Sequence, residues 1–133
     1  MAPTPQQNRD RQGAEERSTT YLITWICYGA FEGLTTAQIQ VDLPGWTIWT
    51  RAPPGGETAA QVGARADRVI ARAAAAPGDV ALFGHGHMLR VLAARWLGLE
   101  PEGGRLLALA TGSVSVLGHE HNTRVIQLWN RTA

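Results

Sequence analysis

Asp79-Val80-Ala81-Leu82-Phe83-Gly84-His85-Gly86-His87-Met88-Leu89-Arg90 reads as a short apolar strand, a Gly-His-Gly-His turn and the opening of an amphipathic helix. A strand that feeds a glycine turn and then a helix leaves unpaired backbone N–H groups at the positive end of the helix dipole. That spot suits an anion. A histidine there can donate to a phosphate oxygen or hold a charge opposite it. His85 is thus the first candidate site residue. Gly84, Gly86 and His87 are the backbone and side-chain groups expected around the same anion, the glycines because they let the main chain come close.

Upstream, Pro77-Gly78 ends a helix that starts after Thr58, where Thr58 and Gln61 have capping-box spacing. Val62, Ala66, Val69, Ile70 and Ala73 fall on one face of that helix, and Arg65, Arg68 and Arg72 on the other, which reads as solvated. Before it, Trp46 to Gly56 holds two tryptophans, two prolines and a glycine pair, the composition of a loop anchored by aromatic rings. Thr35 with Gln38 repeats the capping signal and opens a short helix to about Val41, ended by Pro44-Gly45. Cys27 to Leu34 reads as a loop, and Tyr21 to Ile26 as a strand or extended segment. Residues 1–20, polar and charged with two prolines, cannot bury enough surface to offset their ordering entropy and are expected to be disordered.

Downstream, the helix is expected from about Met88 to Leu97, with Gly98 as its left-handed cap. A strand is expected at Leu106 to Leu109. A hairpin is expected from Ser113–Leu117 and Arg124–Trp129, closed by Gly118–Asn122. This order points to a single α/β domain over residues 21–133, a sandwich with a mixed β-sheet flanked by helices.

Composition narrows the function classes. The basic residues are all arginine, scattered, and the formal charge is only +1, which argues against a nucleic-acid partner. No apolar run approaches the roughly 20 residues of a membrane span. Residues 1–20 also lack the apolar core of a signal peptide, and a single cysteine gives no disulfide framework. A cytoplasmic soluble protein is the expectation.

Three blocks carry a family resemblance. Tyr28-Gly29-Ala30-Phe31-Glu32-Gly33-Leu34-Thr35 is similar to the YGDYEGLT segment of the histidine phosphatase superfamily, the group that includes cofactor-dependent phosphoglycerate mutases. Pro54-Gly55-Gly56-Glu57-Thr58 resembles its PGGES loop, and Phe83 to Arg90 its HG…R block. The resemblance runs from Tyr28 to Asn130. It implies a phosphoglycerate mutase-like fold, a small phosphorylated ligand, no cofactor and, for an active member, a phosphatase or mutase. It places the family's second active-site histidine at His85. In that family an Arg-His-Gly histidine becomes phosphohistidine, arginines clamp the phosphoryl oxygens and a carboxylate protonates the leaving oxygen.

This chain departs from that pattern. It contains no Arg-His-Gly, and Arg11-Gln12-Gly13 cannot replace it, because glutamine forms no phosphohistidine. The arginine after the family's SSPL turn has no counterpart. Trp25 stands where the family usually places its acid, so Glu32, from another position in the block, is the candidate catalytic carboxylate. The resemblance therefore implies a chain shortened at its N-terminal side, with weak or no catalysis. Without the family's central strand a sheet edge is left open, which a second copy of the chain could cover as a homodimer.

Two further readings stand beside it. One is a non-catalytic module that binds a phosphorylated ligand or a partner through the same turn. The other is a metal-binding protein built on the pairs His85/His87 and His119/His121, set against the plainer reading of the second pair as exposed turn residues. Cys27 is expected to be a buried, inert thiol, and the tryptophans to anchor loops and core.

Overall fold

A computed structural model describes residues 19–24 and 26–133. The elements run β1 (Thr19–Leu22), a 3-10 turn (Gly29–Phe31), α1 (Thr36–Asp42), α2 (Ala59–Ala75), β2 (Val80–Phe83), α3 (Gly86–Trp96), a second 3-10 segment (Pro101–Leu106), β3 (Val114–Glu120) and β4 (Thr123–Arg131). The chain is α/β, as expected. Its strands carry both the parallel and the antiparallel pairing of a mixed sheet, divided between two two-stranded sheets among the described residues.

Both capping boxes form. The Thr35 hydroxyl accepts from the Gln38 N–H at 3.2 Å and the Gln38 side chain accepts from the Thr35 N–H at 2.8 Å. Thr58 and Gln61 reproduce the pair at the start of α2. Each box satisfies two N–H groups that would otherwise lack partners, which fixes where the helix begins. Gly98 takes φ +79° and ends α3, as its position implies.

The core lies where α2 and α3 meet the inner face of β1–β2. Val62, Ala66 and Ile70 from α2 pack against Met88, Val91 and Leu92 from α3, with Ile23 and Ile26 closing the cluster. The apolar face read from the sequence of α2 is the face that is buried. The opposite face is less simple than expected. Arg68 and Arg72 are exposed, but Arg65 forms a two-pronged ion pair with Glu57, 2.9 Å at both nitrogens.

The strand expected at Tyr21–Ile26 instead spans Thr19–Leu22, so Thr19 and Thr20 belong to the sheet and not to a disordered leader. The rest of the stretch expected to be disordered lies outside the described residues, as does Trp25. The shift has a simple cause. β1 pairs with β2 in the register Thr19↔Val80 to Leu22↔Phe83, and β2 stops where Gly84 turns into α3, so the ladder has no partner to continue on.

Leu106–Leu109 is not a strand. Pro101 opens a 3-10 segment that runs through Leu106, and the residues just beyond it are held by side chains rather than by a ladder. The Asn130 side-chain oxygen accepts from the Ala110 N–H at 2.7 Å, and the Trp129 indole donates to the Ala108 carbonyl at 2.6 Å. The hairpin is present but longer, with Glu120↔Thr123 as its last pair and His121 at φ +54° in a two-residue turn.

The tryptophan expectation holds for Trp46 and Trp96. Trp46 is 4% exposed and meets Phe31 edge-on at 5.4 Å, and Trp96 donates to the Val125 carbonyl at 3.2 Å. Cys27 departs from expectation, because it is exposed. Its backbone explains why: its N–H donates to Glu57 and its carbonyl accepts from the Glu57 N–H, which fixes the main chain and leaves the thiol outward. Among the described residues no helix is long and apolar enough to cross a membrane.

Candidate active site at the start of the third helix

The β2–α3 turn sets His85 in extended geometry as the residue preceding the helix, with φ −103° and ψ 158°. Its imidazole does not cap the helix. The N–H groups of the first turn and the positive dipole end therefore face the space beside it. That space is a cavity of about 330 Å³ lined by Tyr28, Glu32, His85, Gly86, His87 and Arg90, with Ile26, Met88 and Leu109 as its apolar walls.

The site residues expected from the sequence divide into two groups. His85, Gly86, His87 and Glu32 line the one cavity, although Glu32 lies more than fifty positions before His85 in the chain. Gly84 does not. A side-chain carbon at Gly84 would sit 3.2 Å from Leu89 Cδ2 and 3.5 Å from Ile23, so this glycine serves the packing of β2 against α3. At Gly86 the same carbon would meet nothing within 4 Å, which keeps the mouth of the cavity open.

Two residues that the sequence did not single out complete the lining. Tyr28 O–H hydrogen-bonds His87 Nδ1 across 59 positions of chain. Burial and then the charge of Glu32 push the Tyr28 phenol up from its ordinary value, so it stays protonated. With the phenol as donor, His87 Nδ1 is the acceptor and the ring proton sits on Nε2, where it can serve a ligand. Arg90 is fixed from behind: its Nε donates to the Gly104 carbonyl at 3.0 Å and its Nη2 to the Arg105 carbonyl at 3.2 Å. Its guanidinium lies 4.9 Å from the Trp49 ring centre, and Trp49 meets His87 edge-on at 5.5 Å. Arg90 lies one helical turn after Gly86 in α3, and its place as the arginine of the HG…R block was the signal available for it. Glu32 is held at its own end, accepting from the Tyr28 N–H at 3.1 Å.

His87 is held below the ordinary imidazole value of 6.5, first by burial and then by the Arg90 charge. The unfolded chain therefore binds the proton more readily than the folded one. Stability attributable to His87 is complete above about pH 6.5 and declines as pH falls below it, until the folded imidazole itself protonates. His87→Gln is expected to flatten that acid-side decline in urea unfolding series. A decline of unchanged steepness would remove His87 as its source.

The paired-histidine metal reading finds no support in the geometry. His119 lies against Trp96, with ring centres 5.2 Å apart, and His121 is in the hairpin turn. Among the described residues no three His, Cys, Asp or Glu side chains are grouped to hold a metal. Cys27 is outside the cavity lining.

The model of the histidine phosphatase superfamily, branch 1, matches residues 21–132. The chain belongs to that superfamily. It is 39% identical over 101 residues to an acid phosphatase of Mycobacterium tuberculosis, a match over 74% of this chain and 50% of that protein. It is 36% identical over 90 residues to the sedoheptulose 1,7-bisphosphatase of Saccharomyces cerevisiae, over 54% of this chain and 33% of the relative. The chain thus spans half the length, or less, of these curated relatives. Among solved structures, that of the open reading frame Rv3214 from Mycobacterium tuberculosis superimposes with a TM-score of 0.79 at 30% identity, covering 92% of this chain and 78% of that one. A mycobacterial glucosyl-3-phosphoglycerate phosphatase in complex with inorganic phosphate gives 0.68 at 28% identity, over 80% and 61% of the two chains. The expected family and its phosphoglycerate mutase-like α/β fold are therefore correct.

Proposed function

We propose that this chain binds a small phosphate monoester at the N-terminus of α3 and hydrolyses it weakly or not at all. The observation that carries the reading is the convergence of His85, His87, Arg90 and Glu32 on one cavity at that helix end. His85 and the first-turn N–H groups supply donors for phosphoryl oxygens. Arg90 is the permanent cation of the site, and His87 Nε2–H is a neutral donor beside it. Glu32 is the carboxyl group positioned to protonate a leaving oxygen. The names of the relatives, an acid phosphatase and a sugar bisphosphatase, and a phosphate-bound neighbour point to the same ligand class.

Weak turnover is the consequence of the missing nucleophile. The chain has four histidines and no Arg-His-Gly. Of the four, only His85 and His87 line the cavity; in this reading His85 serves as a phosphoryl-oxygen donor, and His87 Nδ1 is engaged by Tyr28. Attack on phosphorus is then left to water, without the covalent step that splits a hard displacement into two easier ones.

The test is p-nitrophenyl phosphate hydrolysis between about pH 5 and 8, where histidine titrates, with binding of inorganic phosphate followed by phosphorus NMR on the same samples. Wild type is expected to bind phosphate with little turnover, and folded His85→Ala to lose the binding at least about tenfold, the equivalent of one charge-assisted hydrogen bond. Vigorous turnover by the pure wild type would overturn the weak-catalysis part. Phosphate binding indifferent to His85→Ala would remove the site.

A further inference from the structure

Arg90 offers an anion less than its charge suggests. Its Nε and Nη2 are spent on the Gly104 and Arg105 carbonyls, so a ligand meets one guanidinium nitrogen and not a two-pronged fork. The cavity therefore depends on its imidazoles for further donors. A neutral imidazole carries its one proton on either of two nitrogens, and its neighbours decide which. His87 is such a ring near neutral pH, because burial and then the Arg90 charge hold it below its ordinary value.

The neighbour that decides is Tyr28, whose phenol oxygen meets Nδ1. Two arrangements would satisfy that bond. In one the phenol donates to a bare Nδ1, and in the other a protonated Nδ1 donates to the phenol oxygen. The second strands the phenol proton. Tyr28 is half-buried, and among the described residues no other acceptor lies within hydrogen-bond distance of its O–H. A partly buried donor without a partner is costly. The second arrangement would also turn a bare Nε2 toward the oxygens of an anion. The ring is held from its other side as well: Trp49 meets it edge-on, lies under the Arg90 guanidinium and is itself packed against Gly104. The titratable or charged groups sharing the cavity with His87 are Tyr28 and Glu32, from the loop before α1, and His85 and Arg90, from α3.

We propose, on the reading of the cavity as a phosphate site, that Tyr28 is a positioning residue that sets phosphate affinity through His87. The phenol fixes the proton on Nε2 and so makes His87 a permanent donor to a phosphoryl oxygen. Tyr28 does not touch the ligand. The loop that holds Tyr28 thus reaches the phosphate through a side chain 59 positions further along the chain.

The test is a double-mutant cycle on the full chain, with inorganic phosphate as the probe, followed by phosphorus NMR at about pH 7.5, where the ring is neutral. Tyr28→Phe removes one oxygen and keeps the ring. It is expected to weaken phosphate binding about tenfold, the loss of one aimed donor to a charged oxygen. In a His87→Ala background, with folding checked by circular dichroism, the same change should cost nothing further. Proton–nitrogen spectra of the histidine rings supply a readout that packing alone would not move. Wild-type His87 should be protonated at Nε2 and bare at Nδ1, and Tyr28→Phe should mix the two tautomers.

Equal losses in the two backgrounds would mean that the phenol touches the ligand itself, and would overturn the proposal. So would undiminished binding by Tyr28→Phe, a wild-type ring protonated at Nδ1, or a tautomer unchanged by Tyr28→Phe. Absence of phosphate binding by wild type would overturn the reading of the cavity and, with it, the effect on affinity. The nitrogen spectra would then still decide separately whether Tyr28 sets the tautomer.

Discussion

Gly29→Ala is expected to lower the melting temperature by roughly ten degrees or more, the largest loss expected among the described glycines. Gly29 sits at φ +53°, and the new carbon would lie 2.3 Å from the Pro54 carbonyl oxygen, 2.4 Å from Gly56 N and 2.5 Å from Gly55 C. All three are backbone atoms, so no rotamer change relieves the overlap. The left-handed conformation costs an L-residue about 1–2 kcal/mol, and forcing extra volume into a filled site about 1–3 kcal/mol more. Separation of the segments would also break the Ala30 N–H bond to the Pro54 carbonyl, now 2.8 Å. Gly33→Ala is the control. It has φ +78° but nothing within 4 Å of the added carbon, so it should show the conformational cost alone. Thermal unfolding followed by circular dichroism compares them, and equal losses for the two variants would dismiss the collision. Tyr28 and Glu32 flank this contact, so Gly29→Ala should also weaken phosphate binding in whatever fraction remains folded.

That contact explains why the two glycine-rich blocks, Tyr28–Thr35 and Pro54–Thr58, are needed together. Gly29 and Gly56 let the two loops touch backbone to backbone, since a carbon on Gly56 would come 2.7 Å from the Cys27 carbonyl. Glu57 Oε1 then accepts from the Cys27 N–H, and both carboxylate oxygens accept from Arg65 of α2. A loop well before the helix in the chain is tied to it by this carboxylate, and Tyr28 and Glu32 are thereby carried to the cavity.

The features legible in the sequence are those that local rules decide. Capping boxes, the apolar face of α2, the cap at Gly98 and the β2–turn–α3 unit are settled within a few residues, and the structure places them as expected. Leu106–Leu109 misled because an apolar run reads as strand, while its fate was set at a distance. Gly104 leaves only 2.9 Å between a would-be side-chain carbon and the Trp49 ring, and Asn130 and Trp129 capture the chain just beyond. The candidate site shows the same division. His85, His87 and Glu32 were visible as chemistry, but the Tyr28–His87 bond and the anchoring of Arg90 by two carbonyls are tertiary facts with no periodicity to announce them.

Met88→Ala joins fold and site in one measurement. Met88 is fully buried, with no accessible surface, and is the third residue of α3. It packs in the core with Ile26, Val91 and Leu92 and also forms part of the cavity wall. Truncation removes the buried thioether and leaves a void that the α2–α3 contact cannot fully close, a loss of about 2–5 kcal/mol. Against the roughly 5–15 kcal/mol typical of a domain, that is a large fraction. The urea midpoint should fall with the slope unchanged, and phosphate binding should fall further than the folded fraction alone requires, because the first turn bearing His85, Gly86 and His87 rests on this side chain. Met88→Leu restores most of the volume and is expected to cost under about 1.5 kcal/mol, with binding near that of wild type. An alanine variant with an unshifted midpoint would mean that α3 is not seated on the core as described. A shifted midpoint with full binding per folded molecule would mean that the helix end holds its geometry without support from below.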